Sequence, residues 1–261
     1  MKLFDSHCHI NDKCFEEDYD ELLNRAYDAD VRAMMIVGVD VESSGLAVDL
    51  AEKHDELFAS VGVHPHDSKS CSMEKLDILK KMTKNSKVKA WGETGLDFNR
   101  MHSPAGDQEK WLERQLDAAE ELDLPVIFHE RDSNGRLVEI LKSRKKGNLR
   151  GVIHCFSGTK KELHAYLDLG YYIGITGIVT IQKRGASLRE IVPLIPENRI
   201  LIETDAPYLT PAPKKNKTRR NEPGFVRFVF LKLAEITGNN PEMFADQIWE
   251  NTCDLFNVPF I

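Results

Sequence analysis

Short apolar runs rich in β-branched residues recur along the chain, and each is followed by a stretch in which apolar residues return every three to four positions. The runs at 3–9, 33–39, 58–64, 88–96, 126–129, 151–156, 172–178 and 200–205 predict strands. The intervening patterns predict helices at 19–29, 41–53, 74–85, 104–122, 134–146, 160–169 and 187–194, with two more, 224–237 and 241–256, after the last strand. In the fourth helix Ser103 is placed to cap, Pro104 takes the first helical position, and Leu112, Leu116 and Ala119 form the buried stripe. The fifth ends in Lys145-Lys146-Gly147, cations and a glycine suited to a helix stop. Eight strand-helix alternations predict an α/β fold, a closed (β/α)₈ TIM barrel forming a single domain over residues 1–261. An open doubly wound sheet would usually carry a glycine-rich turn after its first strand, where this chain has His9-Ile10-Asn11-Asp12. No internal repeat or linker interrupts the pattern, and 211–220 reads as a long loop after the eighth strand.

Composition narrows the class. With 41% apolar and 30% charged residues and a formal charge of −7, the chain is neither a disordered tail nor a fibrous rod. It has no run of 18 apolar residues and no long apolar stretch at its start, so we expect a soluble, cytoplasmic protein with no membrane segment. Five scattered cysteines without a C-x-x-C pair predict reduced, mostly buried thiols. The acidic balance disfavours a protein that coats long duplexes through a broad basic face, while leaving room for local basic patches.

The chemistry lies in where the polar residues fall. His7 and His9 end the first strand, His64 the third, and Glu93 lies late in the fourth; His129, His154 and Asp205 end the fifth, sixth and eighth. In a barrel these ends gather at one mouth. His7 and His9, two apart on a strand, point to the same side as a chelating pair. Singly, His129 or His154 reads as a hydrogen-bonded structural histidine, and Asp205, before Ala206-Pro207, as a turn residue. Together, so many ionisable groups in one cavity require neutralising cations. The expected division places His7, His9 and Asp205 on one divalent ion and His129 and His154 on another, with Glu93 bridging. Two ions about 3.5–4 Å apart lower the pKa of a shared water, and Asp205 then serves both as ligand and as acceptor of the water's proton. Such a mixed nitrogen and oxygen set favours Zn²⁺, Mn²⁺, Fe²⁺ or Ni²⁺ by affinity, whereas Mg²⁺ prefers all-oxygen shells.

Longer segments carry a resemblance. Phe4-Asp5-Ser6-His7-Cys8-His9, Val61-Gly62-Val63-His64-Pro65, Trp91-Gly92-Glu93-Thr94-Gly95-Leu96-Asp97, Leu124-Pro125-Val126-Ile127-Phe128-His129 and His154-Cys155-Phe156-Ser157-Gly158 are followed by Tyr172-Ile173-Gly174-Ile175-Thr176-Gly177, Ile202-Glu203-Thr204-Asp205-Ala206-Pro207-Tyr208-Leu209 and Arg220-Asn221-Glu222-Pro223. In this order and spacing the set resembles the TatD family of metal-dependent hydrolases over nearly the whole chain. The resemblance implies a dinuclear site at His7, His9, Glu93, His129, His154 and Asp205, and a hydrolase acting on DNA, often from a 3′ end and supported by Mg²⁺. Two positions depart from the family's habit: Glu130 stands where a small residue is usual before Arg131, and Phe228 where a histidine is common.

For a DNA phosphodiester, the expected enzyme uses two divalent ions, Mg, Mn or Zn, with Glu93 and Asp205 catalytic. His64, Arg131 and Arg220 then bind substrate. The loop cations Lys214, Lys215, Lys217 and Arg219 read equally as a phosphate grip or as a solvated charge run. One short basic rim suits single-stranded or 3′ ends better than intact duplex, and no obligate protein partner is evident. The alternative is an amidohydrolase-type enzyme acting on a small amide, ester or lactone with the same metal chemistry.

Overall fold

A computed structural model describes residues 1–144 and 149–259. Eight parallel strands pair in chain order: β1 Leu3–Cys8, β2 Val31–Val37, β3 Leu57–Val61, β4 Val88–Asp97, β5 Val126–Arg131, β6 Gly151–Ile153, β7 Tyr172–Ile175 and β8 Ile200–Ile202. The ring closes where Asp205 N–H donates to the His7 carbonyl (2.9 Å) and His9 N–H to Ala206 (2.7 Å). The expected TIM barrel is therefore present.

Among the described residues seven α-helices connect the strands: α1 Tyr19–Asp28, α2 Val41–Ala51, α3 Met73–Met82, α4 Ala105–Glu121, α5 Arg136–Ser143, α6 Lys160–Asp168 and α7 Ala186–Ile191. α8 Val226–Thr237 and α9 Pro241–Phe256 follow the last strand. Local chemistry sets several starts. Asp40 and Ser43 form a reciprocal capping box on α2, Thr159 and Glu162 another on α6, and Asn240 caps α9 ahead of Pro241. The expected cap of α4 is shifted: Pro104 is the N-cap, because the Ser103 hydroxyl donates to the His66 carbonyl and accepts from Lys69 N–H. The Lys145-Lys146-Gly147 stop lies outside the described residues. No helix among the described residues is long and apolar enough to cross a membrane.

The barrel interior has two storeys. Phe4, Ala33, Met35, Phe58, Ala90, Ile127, Val152 and Leu201 come from seven different strands and form one buried cluster with Trp249 and Phe256 of α9. Side chains from strands all round the ring meet only inside it, so α9 plugs the end where the strands begin. Phe4 is the hub, with ring centroids 5.9 Å from both Phe58 and Trp249. The outward side chains pack beneath the surrounding helices as a second, larger core.

Two β-bulges convert this floor into a polar ceiling. On β1, Asp5 pairs with Met34 but Cys8 with Ile36, so three steps on one strand match two on the other. On β4, Trp91 pairs with Val126 but Thr94 with Phe128. One extra residue reverses the in-out alternation. Phe4 and His7 consequently both face inward, as do Ala90 and Glu93, although each pair is an odd number of residues apart.

Candidate metal centre

The strands end earlier than the hydrophobic pattern predicts at four places that matter. His9, His64, His154 and Asp205 lie just past the last residues of β1, β3, β6 and β8. Asp205 is in the left-handed region (φ 58°), as is Cys155 after His154 (φ 48°), and these turns carry the chain out of the ladder. Close approach of β4 to β5 depends on Gly95 (φ 155°), where an added Cβ would fall 1.9 Å from the His129 carbonyl oxygen.

Five of the six expected ligands, His9, Glu93, His129, His154 and Asp205, line one cleft of about 710 Å³, and the sixth, His7, is fully buried against them. Glu93 is central and almost fully buried. Its Oε2 lies 3.4 Å from His7 Nε2 and 3.9 Å from His9 Nε2. Its Oε1 lies 2.7 Å from His129 Nδ1, 3.5 Å from His64 Nε2 and 3.7 Å from His154 Nε2. Asp205 Oδ1 is 3.6 Å from His7 Nε2 and 3.4 Å from His9 Nε2. The His7 and His154 rings stack with centroids 3.6 Å apart. The donor groups fall into three overlapping sets, His7/His9/Glu93, His7/His154/Asp205 and His64/Glu93/His129, each within 4.8 Å. His154 Nε2 thus lies between Asp205 Oδ1 (4.0 Å) and the Glu93 oxygen that also faces His129 and His64.

Contacts at the outer ring nitrogens tell these histidines apart. His9 Nδ1 faces the Val37 carbonyl (3.1 Å) and His129 Nε2 faces Asp97 (3.3 Å), while His154 Nδ1 has the Glu203 carboxylate 2.9 Å away as an ion-pair contact without hydrogen-bond geometry. An acceptor behind the ring fixes the proton outward and aims the other nitrogen's lone pair into the cleft. His64 has the opposite arrangement. Its Nδ1 accepts the His66 N–H (3.0 Å), capping the turn Pro65–Ser70, so in the neutral ring Nε2 must carry the proton. His64 therefore presents an N–H donor where the others present lone pairs. His7 Nδ1 is buried without a partner.

The electrostatics agree with a cation site. Burial works against the Glu93 carboxylate, yet the surrounding imidazoles, with the charge of His154 and the His129 hydrogen bond among them, hold its pKa well below the usual range. Burial also opposes charging of His129 and His154. Asp97 and Glu93 nevertheless raise His129 to about 9, and Glu203 and Glu93 raise His154 to about 10. Burial lowers His64 to about 4 and keeps it neutral. Converging lone pairs around ionised carboxylates, with protons drawn in where positive charge is lacking, fit a donor set for divalent metal ions.

Several supporting residues escape the sequence reading. The Asp97 carboxylate accepts from His66 (2.7 Å) and from the Asn99 and Arg100 backbone N–H groups while facing His129. Gln108 of α4 brackets the Asp97 backbone, and Gln115, seven residues on, ties Val63, Trp91 and Thr94 together. Two glutamines on the stripe that carries Leu112 and Leu116 were the available signal. Gly174 leaves room for Glu203, whose Oε2 would lie 2.5 Å from a Cβ there.

Among the expected substrate contacts, His64 and Arg131 line the cleft, and Arg100, Arg184 and Arg219 join them. Arg220 does not reach it. Its guanidinium is gripped by both Asp18 oxygens (2.7 and 2.6 Å) and the Cys14 carbonyl, above the Phe15 ring, because Asp18 offers the planar fork a matching carboxylate. Lys214 covers the rings of Phe225 and Phe228, so Phe228 belongs to loop packing. Glu130 is held by the Ser133 backbone and hydroxyl.

A (β/α)₈ barrel with histidines and carboxylates at the strand ends defines the metal-dependent hydrolase class of architecture. The TatD related DNase family pattern matches residues 4–257. The chain is 36% identical to the 3′-5′ ssDNA/RNA exonuclease TatD of Salmonella typhimurium, over 99% of this chain and all of that protein. It is 39% identical to the protein of the same name from Pantoea ananatis, over 98% and 100%. The crystal structure of YJJV, a TatD homologue from Escherichia coli K12, superposes with a TM-score of 0.91 at 32% identity, covering 98% of both chains. The chain belongs to the TatD family of metal-dependent hydrolases.

Proposed function

We propose that this protein is a cytoplasmic, single-domain, divalent-metal-dependent exonuclease that hydrolyses phosphodiester bonds of single-stranded DNA or RNA from the 3′ end. Its full-length relatives carry that activity in their names. The observation that carries the chemistry is the opposed aim of the imidazoles, with lone pairs of His9, His129 and His154 meeting Glu93 and Asp205, and the His64 N–H donor facing the same point.

Two ions, drawn from Mg²⁺, Mn²⁺ and Zn²⁺, would suit this set: His7, His9 and Asp205 would hold one, His129 and His154 the other, and Glu93, which faces both groups, would be shared. Bound there, divalent cations supply Lewis acidity to the scissile phosphate and to an attacking water. Asp205, ionised at neutral pH, accepts the proton of that water. His64 donates Nε2–H to a phosphate oxygen, a charge-assisted bond available only to the tautomer its backbone contact imposes. Arg131 and Arg219, on the rim, hold flanking phosphates.

The test is metal-loaded protein on 3′- and 5′-labelled single strands of DNA and RNA, on duplex, and on a panel of amides, esters and lactones. Progressive shortening from the 3′ end with release of mononucleotides is expected. Turnover confined to amides, esters or lactones would overturn the nuclease reading.

A further inference from the structure

Tyr208 is 56% exposed. Among the described residues it is the one exposed large apolar side chain that lines the cleft. Its ring meets His9 edge-on, with centroids 6.1 Å apart at 68°, so it stands beside the metal centre without packing flat on another ring.

The backbone beneath it is fixed on both sides. Tyr208 N–H donates to the Asp205 carbonyl (2.8 Å). The fully buried Asn221 donates through Nδ2 to the carbonyls of Tyr208 (2.6 Å) and Thr204 (2.9 Å), and its own N–H reaches Pro207 (2.9 Å). A large apolar ring held at a polar mouth by a buried amide buries little of its own surface. Such an arrangement is explained by a planar ligand that completes it.

We infer that Tyr208 is a stacking platform for the unpaired base of the nucleotide whose phosphate lies in the metal centre. The inference rests on the exonuclease reading and adds the part of the substrate that is recognised. Every base has a π-face, so stacking tolerates all four. It makes no use of the 2′-hydroxyl, the group that separates RNA from DNA, and so allows both polymers. A paired terminal base must first leave its stack and its partner, at a cost of a few kcal/mol. The platform therefore favours single strands without contacting a second one. Arg219 and Arg184, which line the same cleft, are placed to hold the phosphates that follow toward the 5′ side.

Two single-stranded DNA oligonucleotides of identical sequence, one ending in adenine and one in an abasic residue, provide the kinetic test with wild type, Tyr208→Ala and Tyr208→Trp. For the adenine end, Tyr208→Ala is expected to raise KM about 5- to 100-fold with little change in kcat, and Tyr208→Trp to restore it. For the abasic end, all three proteins should behave alike. A strand ending in 2-aminopurine gives an independent readout: its fluorescence should be quenched on binding to wild type and Tyr208→Trp, and not by Tyr208→Ala. Equal losses on both ends, or quenching that survives Tyr208→Ala, would overturn the platform. Failure of the wild type to shorten either strand would instead remove the nuclease reading, whatever the fluorescence shows.

Discussion

The lower and upper storeys of the barrel interior are built from the same strands and obey opposite rules. Below, Phe4, Ala90 and Ile127 fill the ring with apolar volume and α9 seals it. Above, His7, Glu93 and His129, two or three residues further along the same strands, crowd ionisable groups into a cleft. The floor gains free energy from burial and close packing. The ceiling gives some back, because each buried imidazole or carboxylate loses hydration that its neighbours replace only in part. The scaffold that excludes water from one layer thus holds rigid a second layer that would not assemble alone.

Substitutions should separate the two storeys. Glu93→Ala would strip a donor from both ions of the proposed centre and is expected to lower turnover by at least about 10³-fold and to reduce bound metal, with thermal stability kept or improved; full turnover with unchanged metal content would remove the proposed bridge. Phe4→Ala does the reverse. Loss of the hub should cost about 3–5 kcal/mol of unfolding free energy in a denaturant titration, while metal affinity in the folded protein stays near wild type.

Within the ceiling, Asp97→Asn removes the charge that orients His129 and should weaken metal binding about 10- to 100-fold by calorimetry, with the fold intact by circular dichroism. His64→Gln sharpens the contrast between histidines. It keeps an amide N–H near the Nε2 position and should leave the number of bound ions and most of the turnover intact, whereas His64→Leu, which has no donor, should also keep both ions but lower kcat/KM about 10- to 100-fold, the worth of a lost hydrogen bond to a charged group. Loss of one ion from His64→Leu would make His64 a ligand.

The barrel and its polar mouth were legible because parallel strands buried on both faces read as apolar runs, and because ionisable residues at their ends break those runs visibly. The bulges were not. A register shift at Asp5–Cys8 or Trp91–Thr94 depends on the neighbouring strand, which a local pattern does not record, yet it decides whether His7 and Glu93 face the cleft. His64 could be placed at the mouth, but its tautomer follows from the turn it caps. Arg220 misled for a related reason: a cation in a basic loop looks available until the fold brings Asp18, some 200 residues distant in sequence, against it. Asp97 and Glu203 stand behind His129 and His154, which come from other strands, and their pairing belongs to three dimensions.

The paired cation centre proposed at Glu93 is tested most directly by elemental analysis joined to a 3′-end hydrolysis assay on one sample, stripped by chelation and then reloaded. Two divalent ions per chain are expected at saturation, with hydrolysis lost on stripping and regained on reloading. Saturation at one ion per chain or fewer, or undiminished hydrolysis by the stripped protein, would contradict the paired centre.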